Sequence, residues 1–191
     1  MRLDRDADGD TRTTIEFSML APSGETAQAR DSFHREWVRP DGSLINAVHV
    51  KAKDGQLASD LSLKLEDDRW NISGQHEGKT LATKLPEGAE PGTVLKQMLD
   101  LRRVMSAQNP VGAEHTIGLW DSEDLTTLTE TKTRITRRLD ERLLEARAQA
   151  GKFNVTLHLE KATGSTVLGE SAMLGTTGRF ERVHTTGKFC P

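Results

Sequence analysis

The sequence has 191 residues, of which 35% are hydrophobic and 29% charged, and its formal net charge is −3. This length predicts one domain, and the slightly acidic balance excludes the clustered Lys and Arg of a broad nucleic-acid interface. The single cysteine, Cys190, excludes an intramolecular disulfide, and no apolar run approaches the length of a membrane span. We therefore expect neither a nucleic-acid partner nor a membrane-spanning segment.

The acidic segment 1–11 predicts a disordered N-terminus, followed by one β-rich domain over residues 12–188. The N-terminus has no apolar signal core. Location stays open on this ground: periplasmic or secreted if a signal peptide has been removed, and otherwise cytoplasmic. The oligomeric state also stays open.

A first strand is expected over residues 13–20, where Ile15, Phe17 and Met19 alternate with more polar residues. The parity of the loop around Gly24 decides which face these side chains share. An odd number of loop residues places them with Phe33, and we adopt that reading.

Four short polar turns divide residues 30–85 and predict a five-stranded meander. They are Asp41-Gly42, Asp54-Gly55, Asp67-Asp68 and Glu77-Gly78. Asp-Gly between apolar runs is a strong hairpin signal, because both turn residues adopt positive φ. A register slip of one residue would turn a strand over, so two-residue turns fix the faces. The predicted buried face consists of Phe33, Trp37, Val48, Leu61, Leu63, Trp70 and Ile72.

Residues 92–107 change to helical periodicity, with an apolar stripe that includes Val94, Met98, Leu101 and Met105. We expect this stripe to pack on the apolar face of the meander. The predicted fold class is mainly β (α+β): an antiparallel meander forming a curved sheet or open barrel around one amphipathic helix.

The second half begins with a short strand near residues 115–120. Residues 129–136 read as an exposed strand, and the rest of 124–150 is left open between strand and helix. A clean strand over 153–159 and a Gly-containing turn predict a hairpin. Its expected pairs are Val155 with Ser171, Leu157 with Gly169 and Leu159 with Val167, and a last strand is expected near 179–185.

The segments 150–153 and 167–170 resemble the C-terminal hairpins of secreted bacterial half-barrel proteins. That group is similar in architecture to the periplasmic lipoprotein carriers, which wrap a curved antiparallel sheet around a helix and hold an acyl chain between them. The resemblance implies binding of an apolar ligand.

The expected function is non-catalytic binding or carrying of an apolar or amphipathic small molecule between sheet and helix, with no cofactor. The three alternatives are a barrel-type enzyme acting on such a ligand, a metal-dependent enzyme at a row of His34, His49 and Asp60, and a protein-interaction module with a filled core. In the predicted register, polar residues interrupt the inner face and Gly74 leaves volume there. The candidate ligand-binding residues are Arg35, Trp37, Asn46, Trp70, Gly74, Met98 and Ser171.

A row of possible metal ligands crosses three strands of the predicted meander. His34 is expected opposite His49, and His49 opposite Asp60, which is close enough for one Zn²⁺. The alternative, which we prefer, is a structural row of solvated side chains. Ser and Thr are plentiful, but no motif marks a Ser/His/Asp triad.

Overall fold

The computed structural model describes residues 2–5, 10–23, 26–120, 126–151, 153–173 and 176–181. Within these residues the chain is mainly β, with two antiparallel sheets, one helix and no closed barrel, as the predicted fold class requires. The chain divides into two units, residues 1–95 with 120–128 and residues 96–119 with 129–191.

The first unit contains a seven-stranded sheet whose order follows the chain. Its N-terminal strand lies in the segment expected to be disordered and pairs with the second strand. The strands are β1 (Arg2–Arg5), β2 (Thr11–Ser23), β3 (Thr26–Val38), β4 (Leu44–Lys53), β5 (Gln56–Glu66), β6 (Arg69–His76) and β7 (Lys79–Lys84).

Three of the four predicted turns form, and most of the predicted cross-strand pairs are confirmed. The two-residue turn predicted at Asp41-Gly42 is wrong, because a longer loop joins Val38 to Leu44 and the Gly42 N–H donates to the carbonyl of Arg39. The residues at Asp54-Gly55, Asp67-Asp68 and Glu77-Gly78 all have positive φ, as tight hairpin turns require. The confirmed pairs are Phe33–Val50, His34–His49, Trp37–Asn46, Leu63–Ile72, Leu65–Trp70 and Gly74–Leu81.

The register between β4 and β5 differs from the prediction because of a bulge at Ala58. Lys51 pairs with Ser59 and Ala52 with Leu57, so Ala58 has no partner on β4. One extra residue shifts all later pairs by one position. His49 therefore lies opposite Leu61, where Val48 was predicted.

Because of this shift, the side chains of β3 and β4 that were predicted on the buried face lie on the opposite face from those of β5 and β6. The predicted face is correct for Leu61, Leu63, Trp70 and Ile72, which the register keeps together. It is wrong for Phe33, Trp37 and Val48, which lie on the other face of the sheet.

The prediction of an odd number of loop residues between β2 and β3 is also wrong. Ser23 pairs with Thr26, so two residues connect the strands, and Ile15 lies opposite His34. Thr13 lies opposite Glu36 and is fully buried. The face that carries His34 and Glu36 is thus the buried one, continuous with that of Leu61.

Gly74 marks a close approach between strands rather than unfilled volume. Its φ is +146°, and a Cβ atom there would collide with the backbone carbonyl of Asp60. Glycine is required because the neighbouring backbone occupies the side-chain position. The interpretation of Gly74 as a gap for a ligand is therefore wrong.

The second unit contains the other sheet, also in chain order, and most of the helix. The helix α1 covers Val94–Met105, within the predicted range. The strands are β8 (Glu114–Trp120), β9 (Leu128–Arg138), β10 (Leu143–Ala150), β11 (Phe153–Glu160), β12 (Thr166–Met173) and β13 (Thr176–Glu181). The predicted strand 129–136 is confirmed, but it is not exposed as expected, because Thr131, Thr133 and Ile135 are buried. The segment left open forms β10.

The core of the second unit joins the helix to the second sheet. Leu101 and Met105 of α1 cluster with buried side chains of β9, β10 and β11, among them Ile135, Leu144 and Leu159. The sequence predicted that the apolar stripe of the helix packs on the first sheet. For Leu101 and Met105 this is wrong, because both pack on the second sheet.

The hairpin of β11 and β12 follows the predicted register until a second bulge. Val155 pairs with Ser171 and Leu157 with Gly169, but Leu159 pairs with Thr166 instead of Val167. The hairpin loop lies on the helix, since a Cβ atom at Gly164 would collide with the carbonyl of Met98. Backbone contact thus fixes α1 against this sheet.

His115 on β8 should make the stability of the protein sensitive to acid. Burial lowers the pKa of its imidazole below the ordinary value of 6.5, and its buried Nε2 atom has no hydrogen-bond partner among the described residues. The unfolded chain therefore binds a proton that the folded chain does not, and stability falls as the pH drops below the ordinary value. Melting curves at about pH 7.5 and about pH 5.5 should show a smaller loss for His115→Leu than for the parent. Equal losses in the two proteins would contradict this.

Candidate functional site

A row of polar side chains crosses β3 and β4 on the buried face of the first sheet. Ser32, His34 and Glu36 alternate along β3, so all three point to the same face. His49 lies directly opposite His34 on β4. The pattern Ser-x-His-x-Glu on one strand was visible in the sequence, but only the observed register shows that its face is buried.

These four side chains form a continuous hydrogen-bonded chain. Ser32 Oγ lies 3.2 Å from His49 Nε2, and His49 Nδ1 lies 3.3 Å from His34 Nδ1. His34 Nε2 lies 3.1 Å from Glu36 Oε1. The other carboxylate oxygen, Glu36 Oε2, accepts the backbone N–H of Val94 at 3.0 Å. We call this set the Ser32–His49–His34–Glu36 relay.

The carboxylate of Glu36 determines which ring nitrogen of each histidine in the relay donates and which accepts. An ionised Glu36 only accepts, so with neutral rings His34 carries its proton on Nε2. His34 Nδ1 is then an acceptor, and His49 must carry its proton on Nδ1. His49 Nε2 is left as the acceptor that faces Ser32. The tautomers are thus assigned from the hydrogen-bond network.

The surroundings of the relay are largely apolar and buried. Glu36 is 4% exposed and the side chain of His34 17%. The indole of Trp120 meets the His49 ring edge to face, with centroids 6.4 Å apart. Trp120 Nε1 and Thr13 Oγ1 are buried and have no hydrogen-bond partner among the residues that the structure describes. Such orphaned groups in a native protein require an explanation.

The prediction of a row of three metal ligands is wrong for one of them, Asp60. His34 and His49 are neighbours as expected, but Asp60 lies opposite Val50 and is exposed on the other face. The bulge at Ala58 is the cause. In the part of the chain that the structure describes, no group of three or more His, Cys, Asp or Glu side chains is arranged to hold a metal.

The opposite face of β3 and β4 carries a second cluster, half-buried and centred on Arg35. The guanidinium carbon lies 4.7 Å from the centroid of the Phe33 ring and 5.8 Å from that of Trp37. We call this surface the Arg35 face. Cross-strand pairing gives its members as Phe33, Arg35, Trp37, Asn46, Val48 and Val50.

The candidate ligand residues of the first unit are divided between the two faces of its sheet. Arg35, Trp37 and Asn46 share the Arg35 face, whereas Trp70 lies in register with Leu65 on the face of Leu61. Met98 and Ser171 belong to the second unit, where Met98 is buried in α1 and Ser171 pairs with Val155. His184, considered for an inner face, lies outside the described residues.

A recess in the second unit, of about 420 Å³, is polar and charged. Arg102, Arg142 and Lys161 line it together with Glu141 and Glu160. Arg142 lies 3.7 Å from Glu160, so part of this charge is paired within the protein.

Comparison with solved structures places this fold beside bacterial proteins of unknown function. The chain is similar to a β-barrel-like protein of the domain of unknown function DUF1849 from Brucella abortus, with a TM-score of 0.64 and 14% identity. The match covers 94% of this chain and 83% of that one. A DUF1089 family protein from Pseudomonas aeruginosa gives a TM-score of 0.46 at 18% identity, covering 87% and 85%.

These comparisons support the fold and leave function open. No family model matches the sequence, and no curated protein matches it. At 14% identity the similarity to the Brucella abortus protein concerns architecture alone. The half-barrel character expected from the sequence agrees with that neighbour. Among the described residues, none of the helical structure is long and apolar enough to cross a membrane.

Proposed function

We propose that the chain binds an amphipathic anion, without catalysis, on the Arg35 face. The observation that supports this most directly is the position of the guanidinium between Phe33 and Trp37. Rings on both sides hold a positive charge at a fixed place beside Val48 and Val50, on a face that also carries Ser62 and Asp60 of β5. A ligand with a carboxylate or phosphate head and an apolar tail matches that arrangement.

The guanidinium retains capacity for a ligand. Its Nε atom donates to Thr14 Oγ1 at 3.3 Å. Within the described residues, its two terminal amino groups have no protein acceptor. A guanidinium binds carboxylate and phosphate oxygens through such paired N–H groups. The head of the ligand would occupy this position.

The tail would lie along the apolar residues of β4. Val48 lies directly opposite Arg35, and Val50 opposite Phe33. Both are half-buried, as are Trp37 and its partner Asn46. The surface thus offers apolar contact beside the charge. The resemblance to lipoprotein carriers leads to the same class of ligand, although the site proposed here is on the sheet surface.

Titration of a fluorescent fatty-acid probe tests this function. We expect saturable binding to the parent and roughly tenfold weaker binding to Arg35→Gln, since a hydrogen bond to a charged group contributes about 1.5–3 kcal/mol. Arg39→Gln is the matched control, because Arg39 is an exposed arginine of the same unit. Its affinity should stay within about twofold of the parent.

The same titration can reject the proposal. Binding that is unchanged in Arg35→Gln, or equal binding of an uncharged probe with the same tail, would remove the role of the guanidinium. Failure of the parent to bind any probe would favour a protein-interaction module with a filled core.

A further inference from the structure

We infer that Ser32 is a nucleophile that accepts acyl groups from esters, with its hydroxyl activated by His49 through the relay. This inference does not rest on the proposed ligand site, because the relay and the Arg35 face are on opposite faces of the sheet. It rests on the hydrogen-bonded chain from Ser32 to Glu36 and on the direction in which that chain carries its protons.

The arrangement meets the geometric requirements for an activated serine. The hydroxyl lies 3.2 Å from a histidine nitrogen, within the range seen for nucleophile and base in an unliganded site. That histidine is oriented by a second histidine, which in turn is held by a buried carboxylate. The constellation is recognised by these roles rather than by position in the sequence. Ser32 itself is only part-buried, so a reagent can reach it.

The ionised carboxylate of Glu36 sets the direction of the relay, and one backbone group outside the relay holds its second oxygen. The N–H of Val94 points at Glu36 Oε2, so this end of the side chain must accept. The carboxylate then accepts from His34 as well, and the remaining protons are ordered up to Ser32. His49 Nε2, which faces Ser32 Oγ at 3.2 Å, is the position that takes the hydroxyl proton.

The chemical step balances with water as the second reactant. Ser32 Oγ attacks the ester carbonyl carbon, and its proton moves to His49 Nε2. The bond from carbon to the leaving alkoxide breaks, and His49 returns the proton to that alkoxide. A water molecule then adds to the acyl-serine, gives a proton to His49, and releases the acid with the original hydroxyl restored.

The substitution Glu36→Gln should keep every hydrogen bond of the relay but exchange donor and acceptor in the bonds that the two histidines make. The Val94 N–H requires the amide oxygen on its side, so the amide NH₂ faces His34. His34 Nε2 must then accept, which moves its proton to Nδ1. His49 in turn accepts on Nδ1 and presents an N–H to Ser32. All the hydrogen bonds survive, but the base that faced the hydroxyl is gone.

Labelling with a fluorophosphonate, followed by peptide mass spectrometry, tests the nucleophile. We expect one label per chain, on Ser32, and a rate at least about a hundredfold lower in His49→Gln and in Glu36→Gln. His76→Gln is the control: His76 also contacts a serine, Ser59, at 2.8 Å, but no carboxylate holds it among the described residues. Its substitution should leave the labelling rate of Ser32 unchanged.

Nitrogen NMR of the histidine rings supplies a readout that does not depend on reactivity. In the folded parent His34 should be protonated at Nε2 and His49 at Nδ1, and both should change tautomer in Glu36→Gln. Hydrolysis of an aryl acetate should show a burst that disappears with the label. An unlabelled parent, labelling that persists in folded Glu36→Gln, or unchanged tautomers would overturn the inference.

Discussion

Replacing Gly74 with Ala should lower the free energy of unfolding by at least about 3 kcal/mol. The added Cβ would lie within the backbone carbonyl of Asp60, and the φ of +146° is unfavourable for any residue with a side chain. Because Gly74 pairs with both Leu61 and Leu81, the strain falls in the middle of three paired strands. Equilibrium denaturation in urea measures the change.

The control for Gly74 is Gly78→Ala in the adjacent turn. Gly78 also has positive φ, at +74°, but a Cβ atom there would meet open space. Its replacement should lower the free energy of unfolding by only about 1–2 kcal/mol, which is the cost of placing a residue with a Cβ atom in the left-handed conformation. Equal losses at the two positions would show that the carbonyl of Asp60 moves aside, and would restore volume at Gly74 for a ligand.

Replacing Met105 with Ala should cost about 2–5 kcal/mol, because it removes a fully buried side chain from the core of the second unit. Met105 packs with Leu101 of the helix and with the strand residues of the same cluster. Arg103→Ala is the matched control, since Arg103 is exposed on the same helix and its removal should change stability by less than about 1 kcal/mol.

Thermal or chemical denaturation monitored by circular dichroism distinguishes these outcomes. A Met105→Ala variant as stable as the Arg103→Ala control would mean that the last turn of α1 contributes little to the second core. The helix would then be held mainly by its backbone contact with the Gly164 turn.

The two functional proposals separate cleanly, because they use alternate residues of one strand. Arg35→Gln should change probe affinity and leave the labelling of Ser32 intact. Glu36→Gln should do the reverse. Loss of both properties in either variant would indicate that β3 is misfolded rather than that one site has been removed. Circular dichroism of each variant shows whether it is folded.

Local residue chemistry was enough to predict the elements. The tight turns at Asp54-Gly55, Asp67-Asp68 and Glu77-Gly78 follow from residues that tolerate positive φ, and the helix from an apolar stripe of helical period. The pair of His34 and His49 was found in the same way, from one turn and simple counting. Such signals are short-range, so they survive without knowledge of the rest of the molecule.

The faces and the candidate site depended on tertiary structure. Ala58 has no feature that marks it as a bulge, yet the residue it inserts moves Asp60 away from His49 and brings Leu61 opposite that histidine. The same change puts Glu36 on the buried face, where the N–H of Val94, 58 residues further along the chain, completes its hydrogen bonds. The sequence by itself determined most of the strands and turns and the helix, because those preferences are local, but it left the segment of β10 open and predicted disorder where β1 forms. Which side chains meet was decided only in the folded chain, because strand register has a period of two and a single unpaired residue reverses it.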